Sequence, residues 1–181
     1  MLEAGVEFDT STFDPELYST AEATAKFGTP GEGGTVEKRL KTFDAPYTLR
    51  LYERGAPLNV KRITCHELVL PWMEAALKLV KDAYSAKDIE RLGLDVYAGC
   101  YNPRRIRNGQ SWSKHAFAIA SDWLPKENDL QTPFAKATFS RPEYKDWLQC
   151  WNLSGFANLG QVKGFARDAM HFEFMKSASG V

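Results

Sequence analysis

Residues 65–84 read CHELVLPWMEAALKLVKDAY and carry a helical pattern of apolar side chains. The spacing of three and four residues predicts a helix with one apolar face, formed by Leu68, Trp72, Ala75, Leu79 and Ala83. Pro71 falls near the first turn of this helix, where proline is tolerated. The segments on either side of the helix decide what kind of domain it belongs to.

Short extended segments lie on both sides of this helix. Their composition and length predict strands at residues 47–52, 60–64, 94–101, 116–123 and 170–175, with a Gly-Ala-Pro turn between the first two. A second helix is predicted over residues 142–151, with Ser140 as its cap and Pro142 in its first turn. The mixture of helices and dispersed strands predicts a single α+β domain with a small antiparallel sheet flanked by helices.

The bulk composition is that of one folded domain. The chain has 181 residues, 44% of them hydrophobic, and 23 basic residues balance 23 acidic ones. Because there is no net positive charge, we expect no nucleic-acid partner. We interpret residues 1–45 as an N-terminal arm that wraps the domain and residues 46–181 as the domain itself, acting as a monomer.

The sequence has neither a long apolar run nor a basic, apolar start. A membrane span needs about 18 apolar residues, so no membrane insertion is expected. The acidic N-terminus predicts synthesis in the cytoplasm without a signal peptide. The three cysteines, Cys65, Cys100 and Cys150, are odd in number and form no CxxC pair. They are predicted to be buried free thiols rather than disulfides or a four-thiolate zinc site.

The three histidines carry the candidate chemistry. His115 precedes Asp122 by seven residues, and His171 follows Asp168 by three. The alternation in MHFEFM predicts a strand that buries Met170, Phe172 and Phe174 and turns His171 and Glu173 to the other side. Nitrogen ligands near carboxylates are what a catalytic zinc site with an open position requires.

The spacing between His115 and Asp122 leaves two interpretations open. Seven residues span about 23 Å on a straight strand and about 10 Å on a helix, so the chain must bend for both side chains to share a metal. The alternative is a pair of buried, hydrogen-bonded histidines with surface aspartates. The third histidine, His66, is expected to pack against the core at the start of the first helix, because its neighbour Cys65 points about 100° away on a helix.

Two motifs, Ser-x-His-x-x-(Gly)-x-Ala-x-Asp and Asp-x-x-His, resemble those of the zinc D-alanyl-D-alanine carboxypeptidase and L-alanyl-D-glutamate endopeptidase family. The segments KRITCHELV, AGCYNPRRIR, SDWLPKEN and AMHFEF occur in the order seen in its phage endolysin branch. The resemblance covers roughly residues 40–176. It implies a hedgehog/DD-peptidase-like fold and one bound Zn²⁺ ion.

The resemblance also implies roles for individual residues. His115, Asp122 and His171 would be the zinc ligands, Asp168 the general base and Arg104 the group that holds the substrate. Ser113 would be a supporting contact. Arg105 and Arg107 are near enough to compete with Arg104, and any of the three arginines could instead belong to a solvated loop. Glu173 is either a partner of a ligand histidine or a solvent-facing strand residue.

The family usually has glycine where this chain has Ala118, in the bend between His115 and Asp122. Alanine can replace it if the backbone angles stay in ordinary regions.

The implied function is hydrolysis of peptide bonds in bacterial peptidoglycan stem peptides. Asp168 would take a proton from a metal-activated water, and Arg104 would help to stabilise the oxyanion. As an endolysin of a phage or prophage, the protein would reach the cell wall after release from the cytoplasm by a holin-type factor. The alternatives are a non-catalytic zinc-binding structural or virion-associated protein on the same fold, and a relative that has lost the metal.

Overall fold

The computed structural model describes residues 13–52 and 58–180, and they form a single α+β domain. A six-stranded sheet has the order β2-β1-β3-β4-β6-β5. Its strands are β1 (Leu40–Leu51), β2 (Leu58–His66), β3 (Val96–Gly99), β4 (Ala120–Trp123), β5 (Phe156–Asn158) and β6 (His171–Phe174). The helices are α1 (Thr20–Phe27), α2 (Leu70–Ala83), α3 (Ala86–Arg91), α4 (Pro125–Asn128) and α5 (Lys145–Leu153). The predicted α+β class is confirmed.

The sheet is mixed, which corrects the prediction of an antiparallel one. β1 and β2 form an antiparallel hairpin, but β3 pairs with β1 in parallel. The chain between β2 and β3 contains α2 and α3, and a helical connection of this length allows a strand to return parallel to an earlier one. The predicted Gly-Ala-Pro turn of the hairpin lies at residues 55–57, outside the described residues.

Helix α2 is shorter than predicted and buries a different face. It begins at Leu70, because Cys65 and His66 still belong to β2. Its buried residues are Met73, Ala76, Leu77 and Val80, whereas the predicted face of Leu68, Trp72, Ala75, Leu79 and Ala83 is partly buried or exposed. Both sets have helical spacing, and packing against β1 and α5 selects the first.

Helix α5 confirms the second predicted helix with a later start. Residues Pro142–Tyr144 form a separate 3-10 turn, and the α-helix runs from Lys145 to Leu153. The predicted cap is wrong, because the Ser140 hydroxyl donates a hydrogen bond to the Ala137 carbonyl instead. The proline therefore starts a 3-10 turn that leads into the helix.

The N-terminal residues from Phe13 onward pack against the rest of the domain, in part on the main core and in part on a second, smaller apolar cluster. Ala23 and Phe27 on α1, and Val36 after it, are fully buried in the main core cluster. The predicted boundary at residue 45 falls inside β1. Ser19 and Glu22 cap α1 reciprocally at its N-terminus. The first 12 residues of the arm lie outside the described residues.

An aromatic cluster fills one side of the sheet next to β6. Trp123, Trp147 and Trp151 are fully buried and contact one another, and Trp147 and Trp151 also contact Phe172, with ring centroids 5.0–5.8 Å apart. Phe174 lies in the same core. The predicted alternation is confirmed within β6, since Phe172 and Phe174 face this core while His171 and Glu173 contact polar side chains. Met170, also predicted to be buried, precedes the strand and is only partly buried. The three cysteines are buried and free, as predicted.

None of the helices within the described residues is long and apolar enough to span a bilayer.

Candidate metal centre

Three predicted ligand side chains meet where β4, β6 and a short 3-10 helix come together. His171 Nδ1 lies 3.0 Å from Asp122 Oδ1 and 3.1 Å from His115 Nε2, and His115 Nε2 lies 3.2 Å from Asp122 Oδ1. The two histidines are buried, with 4% and 8% of their surface exposed. The Asp122 side chain is 14% exposed. The structure therefore brings the three residues together, with Asp122 away from the surface.

The register of β4 against β6 places two of these groups. The strands are antiparallel, and Asp122 pairs directly with His171. Residues opposite each other on antiparallel strands have side chains on the same face, with Cβ atoms about 5 Å apart. Since Phe172 points into the core, His171 must point to the opposite face, where Asp122 meets it.

A tight bend brings His115 to the same place. The 3-10 helix Lys114–Phe117 begins at Ser113, whose hydroxyl accepts a hydrogen bond from the His115 amide. Ala118 ends this helix in the left-handed region, at φ 56° and ψ 37°. The condition of ordinary backbone angles is therefore not met, and alanine stands here in a conformation that favours glycine. The cost for alanine is of the order of 1 kcal/mol.

The hydrogen bonds on the far side of each ring determine which nitrogen faces the centre. His115 Nδ1 lies 2.8 Å from the Cys100 carbonyl oxygen, so this nitrogen carries the proton and Nε2 has the lone pair. On His171, Nε2 faces the Glu173 carboxylate at 3.5 Å, so a neutral ring with its proton on Nε2 would present the Nδ1 lone pair to the centre. With both rings in these forms, two nitrogen lone pairs and a carboxylate oxygen converge on one point, where either a proton on His171 Nδ1 or a bound metal ion would separate them.

The charges at the centre favour a positive charge beside Asp122. Burial lowers the pKa of His171, but hydrogen bonds with Asp122 and Glu173 outweigh it and raise the pKa to about 10. Burial also raises the pKa of Asp122, and the interactions with His115 and His171 more than reverse this, so the pKa lies well below its usual range. Asp122 is therefore a carboxylate, and a positive charge beside it is strongly favoured. Without a metal ion that charge is the proton of His171, which a bound metal ion would replace.

The spacing of the three atoms fits a tetrahedral metal ion. An ion with ligand bonds of about 2.0 Å holds its ligand atoms about 3.3 Å apart, close to the observed distances of 3.0–3.2 Å. These three residues could hold a metal ion through one atom each. With three protein ligands, a fourth position remains for water or substrate.

Asp168 lies beside this centre on a strained turn. The His171 amide donates a hydrogen bond to the Asp168 carbonyl oxygen at 3.0 Å, so a turn connects the two residues. Asp168 has φ 62°, and its buried Oδ1 has no hydrogen-bond partner. Burial raises the pKa of Asp168, and the nearby charges of His171, Asp122, His115 and Arg104 act on it as well. A strained residue with an unpaired carboxylate oxygen is typical of a functional position.

The structure distinguishes among the three arginines upstream of His115. Arg105 stacks over the Trp112 ring at 3.7 Å and donates a hydrogen bond to the Gln110 carbonyl oxygen. Arg104 is exposed, and its charge lowers the pKa of Asp168. Its backbone carbonyl accepts a hydrogen bond from the Ser113 amide. Arg107 is exposed in the same loop. Arg104 is the arginine placed within electrostatic reach of the candidate centre.

One residue at the centre, Lys114, was not predicted from the sequence. Lys114 Nζ lies 2.7 Å from Glu173 Oε1, and both side chains are largely buried. Glu173 is therefore a partner of His171 and Lys114 and not a solvent-facing residue. The only sequence signal was the position of Lys114 directly before His115, and the strand pairing that brings Glu173 to it is not visible in the sequence.

Comparison of the chain with protein-family models, with curated proteins and with solved structures found no significant match. The peptidase family inferred from the motifs therefore stays a prediction.

Proposed function

We propose that this chain is a zinc-dependent peptidase that hydrolyses peptide bonds in bacterial peptidoglycan stem peptides, on a hedgehog/DD-peptidase-like fold. The observation that carries the proposal is the convergence of His115 Nε2, Asp122 Oδ1 and His171 Nδ1 at tetrahedral spacing, next to the unpaired carboxylate of Asp168. Two nitrogens and one carboxylate oxygen favour zinc over calcium or magnesium, which prefer all-oxygen sites. The peptidoglycan substrate and the endolysin role rest on the motifs.

Each residue has a chemical role in this proposal. Bound zinc supplies a Lewis acid that makes water reactive near neutral pH. Asp168 accepts the proton of the attacking water and passes it to the leaving amine. Its raised pKa suits this exchange better than that of an exposed aspartate, because an efficient acid–base group titrates closer to the working pH.

Arg104 binds a carboxylate or carbonyl oxygen of the substrate. Its charge is permanent, and its planar guanidinium can form two parallel hydrogen bonds to a carboxylate. Arg105 is held by Trp112 and Gln110, so it is the weaker candidate for this role. Ser113 supports the site through its hydrogen bond to the His115 amide.

The unpaired Asp168 oxygen favours an enzyme over a non-catalytic zinc protein of a virion. A purely structural site gains nothing from a buried carboxylate without a partner, which costs stability. A strained backbone at the same residue adds to that cost.

The proposal is tested by incubating the zinc-loaded protein with purified peptidoglycan, with and without chelator, and identifying released peptides by mass spectrometry. We expect chelator-sensitive release of stem peptides. Asp168→Asn should keep zinc and lose at least about 100-fold in rate, whereas His171→Ala should lose the metal. Asp146→Asn, at an exposed position on α5, is the matched control and should behave as wild type. Intact muropeptides with zinc-loaded wild-type protein would contradict the proposal and favour the structural alternative.

A further inference from the structure

Glu173 and Lys114 form a buried ion pair behind the candidate metal centre. Lys114 Nζ lies 2.7 Å from Glu173 Oε1, and the two side chains are 17% and 5% exposed. Withdrawing both charges from water carries a desolvation cost that their attraction often fails to repay, so such a pair is a poor source of stability. Its position therefore calls for another role.

The second oxygen of Glu173 faces the ligand histidine. Glu173 Oε2 lies 3.5 Å from His171 Nε2, while His171 Nδ1 points to Asp122 and His115. The carboxylate thus sits on the far side of the imidazole from the metal position. A carboxylate there favours a proton on Nε2 and leaves the Nδ1 lone pair for a metal ion.

Two small residues on the neighbouring strands leave room for the side chains of Lys114 and Glu173. Glu173 pairs with Ala120 on β4 and with Ala157 on β5, and both alanines are fully buried. Cross-strand partners lie on the same face of the sheet, so any larger side chain at either position would compete with the Lys114 side chain for room. Lys114 reaches Glu173 from the 3-10 helix that also carries His115.

We propose that Lys114 and Glu173 act together as positioning residues which hold His171 with Nδ1 toward the metal and couple its position to that of His115. This inference rests on the proposed metal centre. Lys114 occupies Glu173 Oε1 and so keeps the carboxylate behind the ring, where it cannot become a fourth ligand. The fourth position is thereby left for water and substrate.

Zinc affinity measured by chelator competition tests the pair without reference to activity. Loss of such a partner of a ligand histidine typically weakens metal binding by about 10–100-fold. Glu173→Gln and Lys114→Met should each weaken zinc binding within that range. The double variant should have a zinc affinity no lower than that of the lower-affinity single variant, because the two residues act as one unit. Lys114→Arg keeps the charge and should restore most of the affinity.

Histidine ¹⁵N spectra of the zinc-loaded protein give a second measurement. In the wild type we expect zinc on His171 Nδ1 and a proton on Nε2, and in Glu173→Gln a broadened or shifted Nε2 signal. The matched control is Asp95→Asn, which breaks the ion pair of Arg50 with Asp95 near β3. This control should leave zinc affinity unchanged, so general destabilisation is separated from loss of positioning.

The outcomes distinguish this inference from the proposed function. A wild-type protein that binds no zinc would refute the metal centre itself. A wild-type protein that binds zinc, with folded Glu173→Gln and Lys114→Met variants of unchanged affinity, would overturn the positioning role alone.

Discussion

Between pH 6.5 and about pH 4, the free energy of unfolding should depend on pH mainly through His66, at the end of β2. Its Nε2 lies 3.0 Å from the Phe27 carbonyl oxygen, and its Nδ1 accepts a hydrogen bond from the Leu68 amide at 3.2 Å. The neutral ring with a proton on Nε2 satisfies both partners. A second proton on Nδ1 would break the bond from Leu68 and bury a charge in a side chain with no exposed surface.

Burial, with a smaller contribution from the Arg39 charge, lowers the pKa of His66 from 6.5 to about 4. Between these two values the unfolded chain holds the proton and the folded protein does not. The free energy of unfolding therefore falls as the pH falls across this window, and the loss is nearly complete at pH 4. A pKa difference of about 2.5 corresponds to about 3 kcal/mol.

Urea unfolding followed by tryptophan fluorescence, at pH values from 7.5 to 4.5 and with chelator present, measures this loss. His66→Gln keeps a donor for the Phe27 carbonyl but does not titrate. Because the other two histidines are present in both proteins, their contributions cancel when the free energy of unfolding of the variant is subtracted from that of the wild type. We expect that difference to shrink by about 2–3 kcal/mol between pH 7.5 and 4.5. A difference that stays constant within about 0.5 kcal/mol would refute the reasoning.

Three further predictions concern the bend, the arginines and the core. Ala118→Gly should change the free energy of unfolding by less than about 1 kcal/mol, since relief of the left-handed strain offsets the lost methyl group and the freer unfolded chain. Ala118→Val should lower the free energy of unfolding by more than about 2 kcal/mol. Denaturant midpoints measure both changes. In a muropeptide assay, Arg104→Ala should lower kcat/KM by about 100-fold without changing zinc affinity, and a larger effect of Arg105→Ala would reverse our assignment. Phe172→Ala should cost about 3–5 kcal/mol in calorimetry, and less than about 1 kcal/mol would contradict its place in the core.

Local patterns predicted β6 and β4, the latter as the end of a longer strand, but not the 3-10 helix Lys114–Phe117 that carries His115. The alternation in MHFEFM identified β6 and separated Phe172 and Phe174 from His171 and Glu173, because a strand turns successive side chains to opposite faces. The three-residue spacing of Asp168 and His171 is short enough for the hydrogen-bonded turn that joins them. Such features depend on neighbours within a few residues, so they can be deduced from the sequence.

Features that depend on distant partners were predicted wrongly or not at all. The buried face of α2 was misplaced because two sets of apolar residues have helical spacing, and only β1 and α5 choose between them. The parallel pairing of β1 with β3 joins segments about 45 residues apart. The role of Lys114 required β6 to lie next to β4, which no local pattern reveals.

The side chains available for chemistry are evident from the sequence alone: three histidines, an aspartate seven residues after His115 and another three residues before His171. The alternation along β6 also predicted that His171 lies on the face of the strand opposite the apolar side chains. The meeting of His115, Asp122 and His171 within 3.0–3.2 Å of one another depends on contacts between segments far apart in the chain. The physical reason is the left-handed bend at Ala118 and the register of β4 with β6, which the surrounding packing imposes against the local preference of alanine.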